Sequence, residues 1–365
     1  MKIDEIIRAI EEKAPAACAE EWDNVGLLIG NPGKEVDSVL IAFEMTEKVM
    51  QEAVDTKCGL IITHHPMIYK GLKKINSDNA TGRIIQQAIH HDIAIYAAHT
   101  NLDNVTGGVN SRLAEKLGIE NLTVLEPRQN QLLKLVVFVP HAQAAQVRDA
   151  LFAAGAGHIG HYDSCSFSCA GEGSFKGDET TNPFAGKKDV LHFEEEARIE
   201  TILPAYLYRR TLSALLEAHP YEEPAYDFYK LENSAQNIGS GMIGILPEAM
   251  EEIDFMRHVK KTLGIPVLRH SELTEKKIRK VALCGGSGSF LLSAALAQKA
   301  DVFITGDIKY HDFFIPEKRL LLIDAGHYET EQFTTSLLFD ILKQKFSNFA
   351  IRISGSTTNA VNYLI

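Results

Sequence analysis

The sequence predicts an α/β protein: a split, two-lobed α/β core with mostly parallel strands, plus an inserted ferredoxin-like α+β domain. Three observations carry the prediction. Short apolar runs alternate with amphipathic stretches through the first third, the character changes near Pro127, and the first rhythm returns from about Gly239. The expected boundaries are 1–125 for the N-terminal half of the core, 126–236 for the insert and 237–365 for the C-terminal half.

Taken in order, an amphipathic helix runs from Ile3 to about Ala14, ahead of Glu21-Trp-Asp-Asn-Val-Gly-Leu27, which carries the only tryptophan. Val39–Phe43 reads as a strand, followed by a helix through Val49 and Ala53. Leu60, Ile61 and Ile62 form an apolar run suited to a strand buried on both faces, stopped by Pro66. A helix around Ile84 to His90 precedes the strand Ile93–Tyr96, and a helix from Ser111 to Leu117 is closed by Gly118. This βαβ rhythm implies parallel strands. In the middle third, a strand over Leu133–Val139, a helix over Ala142–Ala154, glycine- and serine-rich strands, a helix around Thr211 to Ala218 and a strand ending at Leu231 follow one another. That β-α-β-β-α-β order is ferredoxin-like. The last third returns to strands at Lys280–Cys284, Asp301–Thr305 and Leu320–Asp324, with the loop Gly285-Gly-Ser-Gly288 and a helix over Phe290–Lys299 between the first two.

Composition narrows the class. The 365 residues are 45% hydrophobic and 23% charged, with net charge −11, which argues against a broad nucleic-acid or anionic-membrane surface. Five cysteines form an odd set without a framework spacing, so a reducing compartment is expected. Met1-Lys-Ile-Asp-Glu places charges where a secretory h-region would be apolar, and no stretch reaches membrane-spanning length. A cytoplasmic location is the expectation.

The chemistry lies at strand ends. His64-His65 closes one apolar run, His99-Thr-Asn-Leu-Asp103 the next, and Asp324-Ala-Gly-His327-Tyr-Glu-Thr-Glu331 the last. Open α/β sheets bind ligands at such ends. In extended backbone, neighbouring side chains point apart, so adjacent histidines suit two ions better than one. A helix entered at Gly326 sets His327 and Glu331 at i and i+4 on one face. Imidazoles and carboxylates without thiolates suit first-row divalent metals in a hydrolytic site. Because these residues flank the insert, one site requires the flanks to fold together.

Glu21–Leu27, Thr63-His-His-Pro66, His99–Asp103, Gly285–Gly288, Thr305-Gly-Asp307 and Gly326–Glu331 make the chain similar to the Nif-three-like dinuclear metal proteins, catalogued as GTP cyclohydrolase I type 2 homologues. The middle third resembles the CutA/PII-like insert of the family's longer bacterial members, chiefly through His219-Pro-Tyr-Glu-Glu-Pro224. The resemblance implies metal ligands at His64, His65, Asp103, His327 and Glu331, with Glu331 bridging two divalent ions (Zn, Mn, Fe, Co or Ni). It also implies a cytoplasmic toroidal homohexamer. Glu44 stands where many relatives have aspartate, outside the expected ligand set.

Other residues carry paired readings. His99 is expected to orient a ligand or to be a satisfied buried histidine. Asp307 and His311 follow a strand end and either meet substrate or belong to ordinary loop chemistry. Gly285, Gly286 and Gly288 either cradle a phosphate or form a tight turn, and the loop is no Walker motif. Glu194-Glu-Glu196 is expected to be a solvated surface, and His219–Asp227 to shape a turn and pack aromatics. The function expected is metal-dependent hydrolysis of a small nucleotide or other phosphate-bearing substrate, with metal-bound water rather than a side chain as the attacking group. The competing class is a non-catalytic metal-handling or regulatory protein with a PII-like sensing domain. Nucleic-acid binding is disfavoured by the acidic balance.

Overall fold

A computed structural model of the chain describes residues 1–364. The chain divides into two compact units, Met1–Glu126 together with Asn237 onward, and Pro127–Gln236. Among the described residues no helix is long and apolar enough to cross a membrane.

The first unit is a mixed α/β body with two sheets. One has the strand order Gly26–Ile29, Ala94–Ala97, Leu60–Thr63, Ser38–Ala42, Ala350–Ile353, parallel throughout except for Gly26–Ile29 against Ala94–Ala97. Its three inner strands are buried at every position, which is why they read as unbroken apolar runs instead of alternating ones. Full burial of Leu60, Ile61 and Ile62 contributes roughly 1.5–3 kcal/mol each. The helices Glu47–Asp55 and Ala80–His90 begin at Thr46 and Asn79, whose side chains accept from the N–H of Val49 and Gly82.

The second sheet has the order Arg269–His270, Leu321–Asp324, Val302–Thr305, Ile278–Leu283, Ala235–Met250, Glu120–Arg128. Its three middle strands pair in parallel, whereas Ala235–Met250 runs antiparallel to Ile278–Leu283 and Arg269–His270 antiparallel to Leu321–Asp324. The helix expected over Phe290–Lys299 is a 3-10 turn, Ser289–Leu291, leading into Leu292–Ala297. In both sheets the carboxyl ends of parallel strands lead directly into His64, His99, Gly285, Asp307 and His327.

One local expectation fails. Leu60–Thr63 stops before the histidines, and the N–H groups of His64 and His65 both donate to the carbonyl of Phe43, at 3.2 and 3.4 Å. The backbone bends there, so the two rings lie with centroids 4.7 Å apart instead of diverging as in an extended strand.

In the second unit the strand order is Ser166–Phe175, His192–Pro204, Leu132–Pro140, Tyr226–Leu231, antiparallel throughout. The helices Ala144–Ala153 and Tyr208–Ala218 cover one face, packing Val147, Leu151 and Leu215 on Leu135, Val137, Val139, Ala197 and Ile199. Alternation sends Glu196 and Arg198 to the opposite face. The acidic run is therefore no uniform solvated surface: Glu195 is exposed, but Glu196 is only 7% exposed and accepts from the Tyr221 hydroxyl at 2.9 Å.

Candidate metal centre

Four histidines in the first unit share one arrangement. His64 Nδ1 donates to the Ala98 carbonyl at 2.9 Å, His65 Nδ1 to Glu44 at 2.5 Å, His99 Nδ1 to Asp23 at 2.9 Å and His327 Nδ1 to Asp307 at 2.6 Å. Carbonyl and carboxylate oxygens accept, so each Nδ1 carries hydrogen and leaves Nε2 for whatever lies on the other side of the ring. For His64, His65 and His327 that side is Glu331, whose Oε2 lies 3.6, 3.4 and 3.1 Å from their Nε2 atoms. The Nε2 atoms of His65 and His327 face each other at 3.4 Å. Asp103 Oδ1 stands 3.7 Å from His64 Nε2.

Apart from the 3.1 Å between His327 and Glu331, these distances are too long for good hydrogen bonds, and the set suits atoms arranged around an ion. His64 Nε2, Asp103 Oδ1 and Glu331 Oε2 are all buried and without a hydrogen-bond partner. Three orphaned polar atoms in one place are costly unless something binds them. The groups suited to holding an ion are His64, Asp103 and Glu331; His65, His327 and Glu331; and His64, His65 and His99. A carboxylate common to two groups, with imidazole nitrogens around it, is a donor set that fits divalent metal.

The electrostatics follow from this crowding. Burial opposes the charge on Glu331, but His327, His64 and His65 outweigh it and hold the carboxyl well below its usual range. Burial, reinforced by the charge of Glu331, holds Asp103 well above its own. His64 is depressed by burial. Burial also works against His65 and His327, yet Glu331 with Glu44 raises His65 to about 10, and Glu331 with Asp307 raises His327 to about 9. Asp23 is held at about 2, its burial outweighed by hydrogen bonds from His99 and Thr100. Burial, then Asp103 and Glu331, keeps the Cys284 thiol protonated.

The sequence-predicted residues thus divide. His64, His65, Asp103, His327 and Glu331 come together. His99 turns a ring nitrogen toward His64 and His65 and stands with the possible ligands, not behind them. Asp307 is the acceptor that orients His327. His311 lies exposed in the 3-10 turn Tyr310–Phe314, against Tyr310, and belongs to none of the ion-holding groups. The glycine loop loses its phosphate reading for lack of donors. The N–H groups of Gly285, Gly286 and Gly288 already donate to Asn110 Oδ1, Thr330 Oγ1 and Thr305 Oγ1 at 2.7–2.9 Å. What the loop needs from glycine is space and backbone freedom. At Gly286, with φ +60°, a Cβ would sit 2.3 Å from Glu331 Oε1. Sequence reasoning missed Asp23 as the tether of His99. Its only signal was its place in the Glu-Trp-Asp-Asn segment.

Fold and site together define an α/β protein with a buried histidine–carboxylate cluster of metal-binding composition. The chain belongs to the DUF34/NIF3 (NGG1p interacting factor 3) family, whose profile matches residues 1–360. It is 46% identical over 327 residues to a Halalkalibacterium halodurans protein named GTP cyclohydrolase 1 type 2 homolog, covering 88% of this chain and 87% of that one. A Bacillus subtilis protein of the same name is 38% identical, with 99% and 98% covered. Among solved structures, a Bacillus cereus protein related to NIF3 superposes with TM-score 0.87 at 41% identity, covering 100% of this chain and 99% of that one.

Proposed function

We propose that this protein is a metal-dependent hydrolase of nucleotides, with GTP as the first substrate to test. Two divalent ions (Zn, Mn, Fe, Co or Ni) would be held by His64, Asp103 and Glu331 and by His65, His327 and Glu331. The observation that carries the reading is the convergence of the orphaned His64 Nε2, Asp103 Oδ1 and Glu331 Oε2. Such ions, when bound, acidify water near neutral pH and polarise a substrate oxygen or ring carbon.

The chain's own residues have defined tasks. Glu331, fixed from behind by the glycine loop, is common to both groups and sets their spacing. Glu44, Asp23, Asp307 and the Ala98 carbonyl fix ring orientation and tautomer. His99, tied to Asp23, keeps a ring nitrogen beside the cluster as a further ligand or as a group that holds a proton there. Two carboxylates and neutral imidazoles leave a doubly loaded centre positively charged, which favours an anionic substrate. The choice of GTP rests on the names of the relatives, an argument by analogy.

The test is to load the protein with each metal and incubate it with GTP, following formate release and ring-opened product. Metal-dependent turnover abolished by Glu331→Ala supports the reading. Two occupied sites without turnover on any metal would move it to metal handling or regulation. That second reading has an observation of its own, the ferredoxin-like strand order of Pro127–Gln236. It supports a CutA/PII-like domain inserted into a core made of 1–125 and 237–365. Replacing the insert by a short linker should leave a folded, metal-binding core, whereas collapse on deletion would make the middle third integral. Family resemblance further supports a toroidal homohexamer in the cytoplasm, checked by native mass measurement and fractionation.

A further inference from the structure

We infer that the second unit carries its own binding site, for a small organic cation with an apolar, flat body and an amidinium or ammonium head. A cavity of about 520 Å³ lies within this unit, on the sheet face opposite the helices, and is independent of the metal centre and of the proposed reaction. Phe138, Phe175, Phe184 and Tyr221 line it. The Tyr221 ring is the hub, with centroids 5.7 Å from Phe175 and 6.1 Å from Phe184.

Among these aromatics stands Glu196, more than nine-tenths buried. Its Oε1 accepts from Tyr221 at 2.9 Å, while among the described residues no protein donor reaches Oε2. Oε2 is not sealed from water but stays open to the cavity, where the head of a bound cation can take the place of water as its donor. Gly173 makes room for the carboxylate: a Cβ there would sit 2.3 Å from Glu196 Oε2, and its φ is not in the left-handed region. The glycine is thus required by space, and the carboxylate itself occupies that space, so a larger residue at 173 would displace Glu196.

Charge points the same way. The lining includes Glu172, Glu222 and Glu223 besides Glu196, against Lys176 and Arg198 as the only bases. Arg198 is already paired with Glu200 at 2.9 Å, and its guanidinium carbon lies 5.9 Å from the Phe138 ring centroid. The cavity therefore keeps an excess of negative charge. Aromatic faces and a largely buried carboxylate with one oxygen open to the cavity together recognise cations through ring quadrupoles and charge-assisted hydrogen bonds.

Benzamidine and its uncharged near-isostere benzamide test this on the full-length protein by titration calorimetry. Benzamidine should bind at least tenfold more tightly than benzamide. Glu196→Gln and Gly173→Ala should each erase that preference, and Glu331→Ala should leave it intact. Cys169, an exposed cysteine that lines the cavity, supplies a second readout in the wild type. Benzamidine should slow its alkylation at least fivefold, and benzamide should not. Equal binding of the two probes, undiminished binding by Glu196→Gln, or binding that leaves Cys169 unprotected would overturn the assignment. Should either variant fail to fold, the wild-type preference and Cys169 protection decide the matter.

Discussion

Replacing Glu44 by Gln should weaken one metal site and spare the other. Glu44 touches the centre only through His65 Nδ1, 2.5 Å away, and of the two ion-holding groups that share Glu331, His65 belongs to the one with His327. The other group, His64 with Asp103 and Glu331, is oriented instead by the Ala98 carbonyl. Losing the charged acceptor behind a ligating histidine typically costs 10- to 100-fold in metal affinity, about 1.4–2.7 kcal/mol. The Glu44 side chain is 38% exposed and the Gln carboxamide oxygen still accepts from His65, so only the charge is lost and the lower end applies: about tenfold, or ~1.4 kcal/mol. Competition against a chromophoric chelator resolves the two binding steps. One step should shift by that amount with the other unmoved. Equal shifts of both steps, or of neither, would refute the division of His64 and His65 between two ions.

Three further outcomes follow from the same geometry. His64→Ala and His327→Ala should each lose about one ion, and a double-mutant comparison should assign them to different ions, while Glu331→Ala weakens both; elemental analysis after dialysis reads this. With His65 at about 10 and His327 at about 9 in the metal-free protein, both raised above 6.5, the stability they confer is fully present below 6.5 and is lost as pH rises through those values. Metal binding at pH 7 should accordingly release at least the two protons of His65 and His327, fewer above pH 9, measurable by calorimetry in buffers of different ionisation enthalpy. Gly286→Ala forces an L residue to φ +60° and a Cβ against Glu331, so it should cost about 1–3 kcal/mol in denaturant titrations and lower the affinity of both ions.

The cluster was legible in large part because its histidines and carboxylates sit where short, fully buried strands end, and such runs announce themselves. His327 and Glu331 were legible through helical spacing alone. The expectation that the His64 and His65 side chains diverge was wrong in its geometry. It assumed extended backbone through the pair, and a bend held by the Phe43 carbonyl puts both rings on one side. The residues behind the ligands were not legible, because their partners are remote. Asp23 is 76 residues from His99, and Asn110 is 175 from Gly285. A glycine loop between strand and helix looks the same in sequence whether its N–H groups are free or spent. Ala350–Ile353 joins the sheet only by parallel pairing with Ser38–Ala42, and Ala235–Met250 begins among polar residues and is broken by Gly239, Gly241 and Gly244. Neither offers a local period. Glu196 belongs to a charged run whose alternation along a strand, one carboxylate turned inward, no composition reveals.

The central claim is that one carboxylate, Glu331, is shared by two divalent ions. Metal-to-protein stoichiometry, measured by elemental mass spectrometry on the full-length protein reconstituted with Zn or Mn and freed of excess metal, tests it most directly. The account predicts close to two ions per chain in the wild type and fewer than one in Glu331→Ala. A stoichiometry of one in the wild type, or a Glu331→Ala protein that keeps one ion at full affinity, would contradict it.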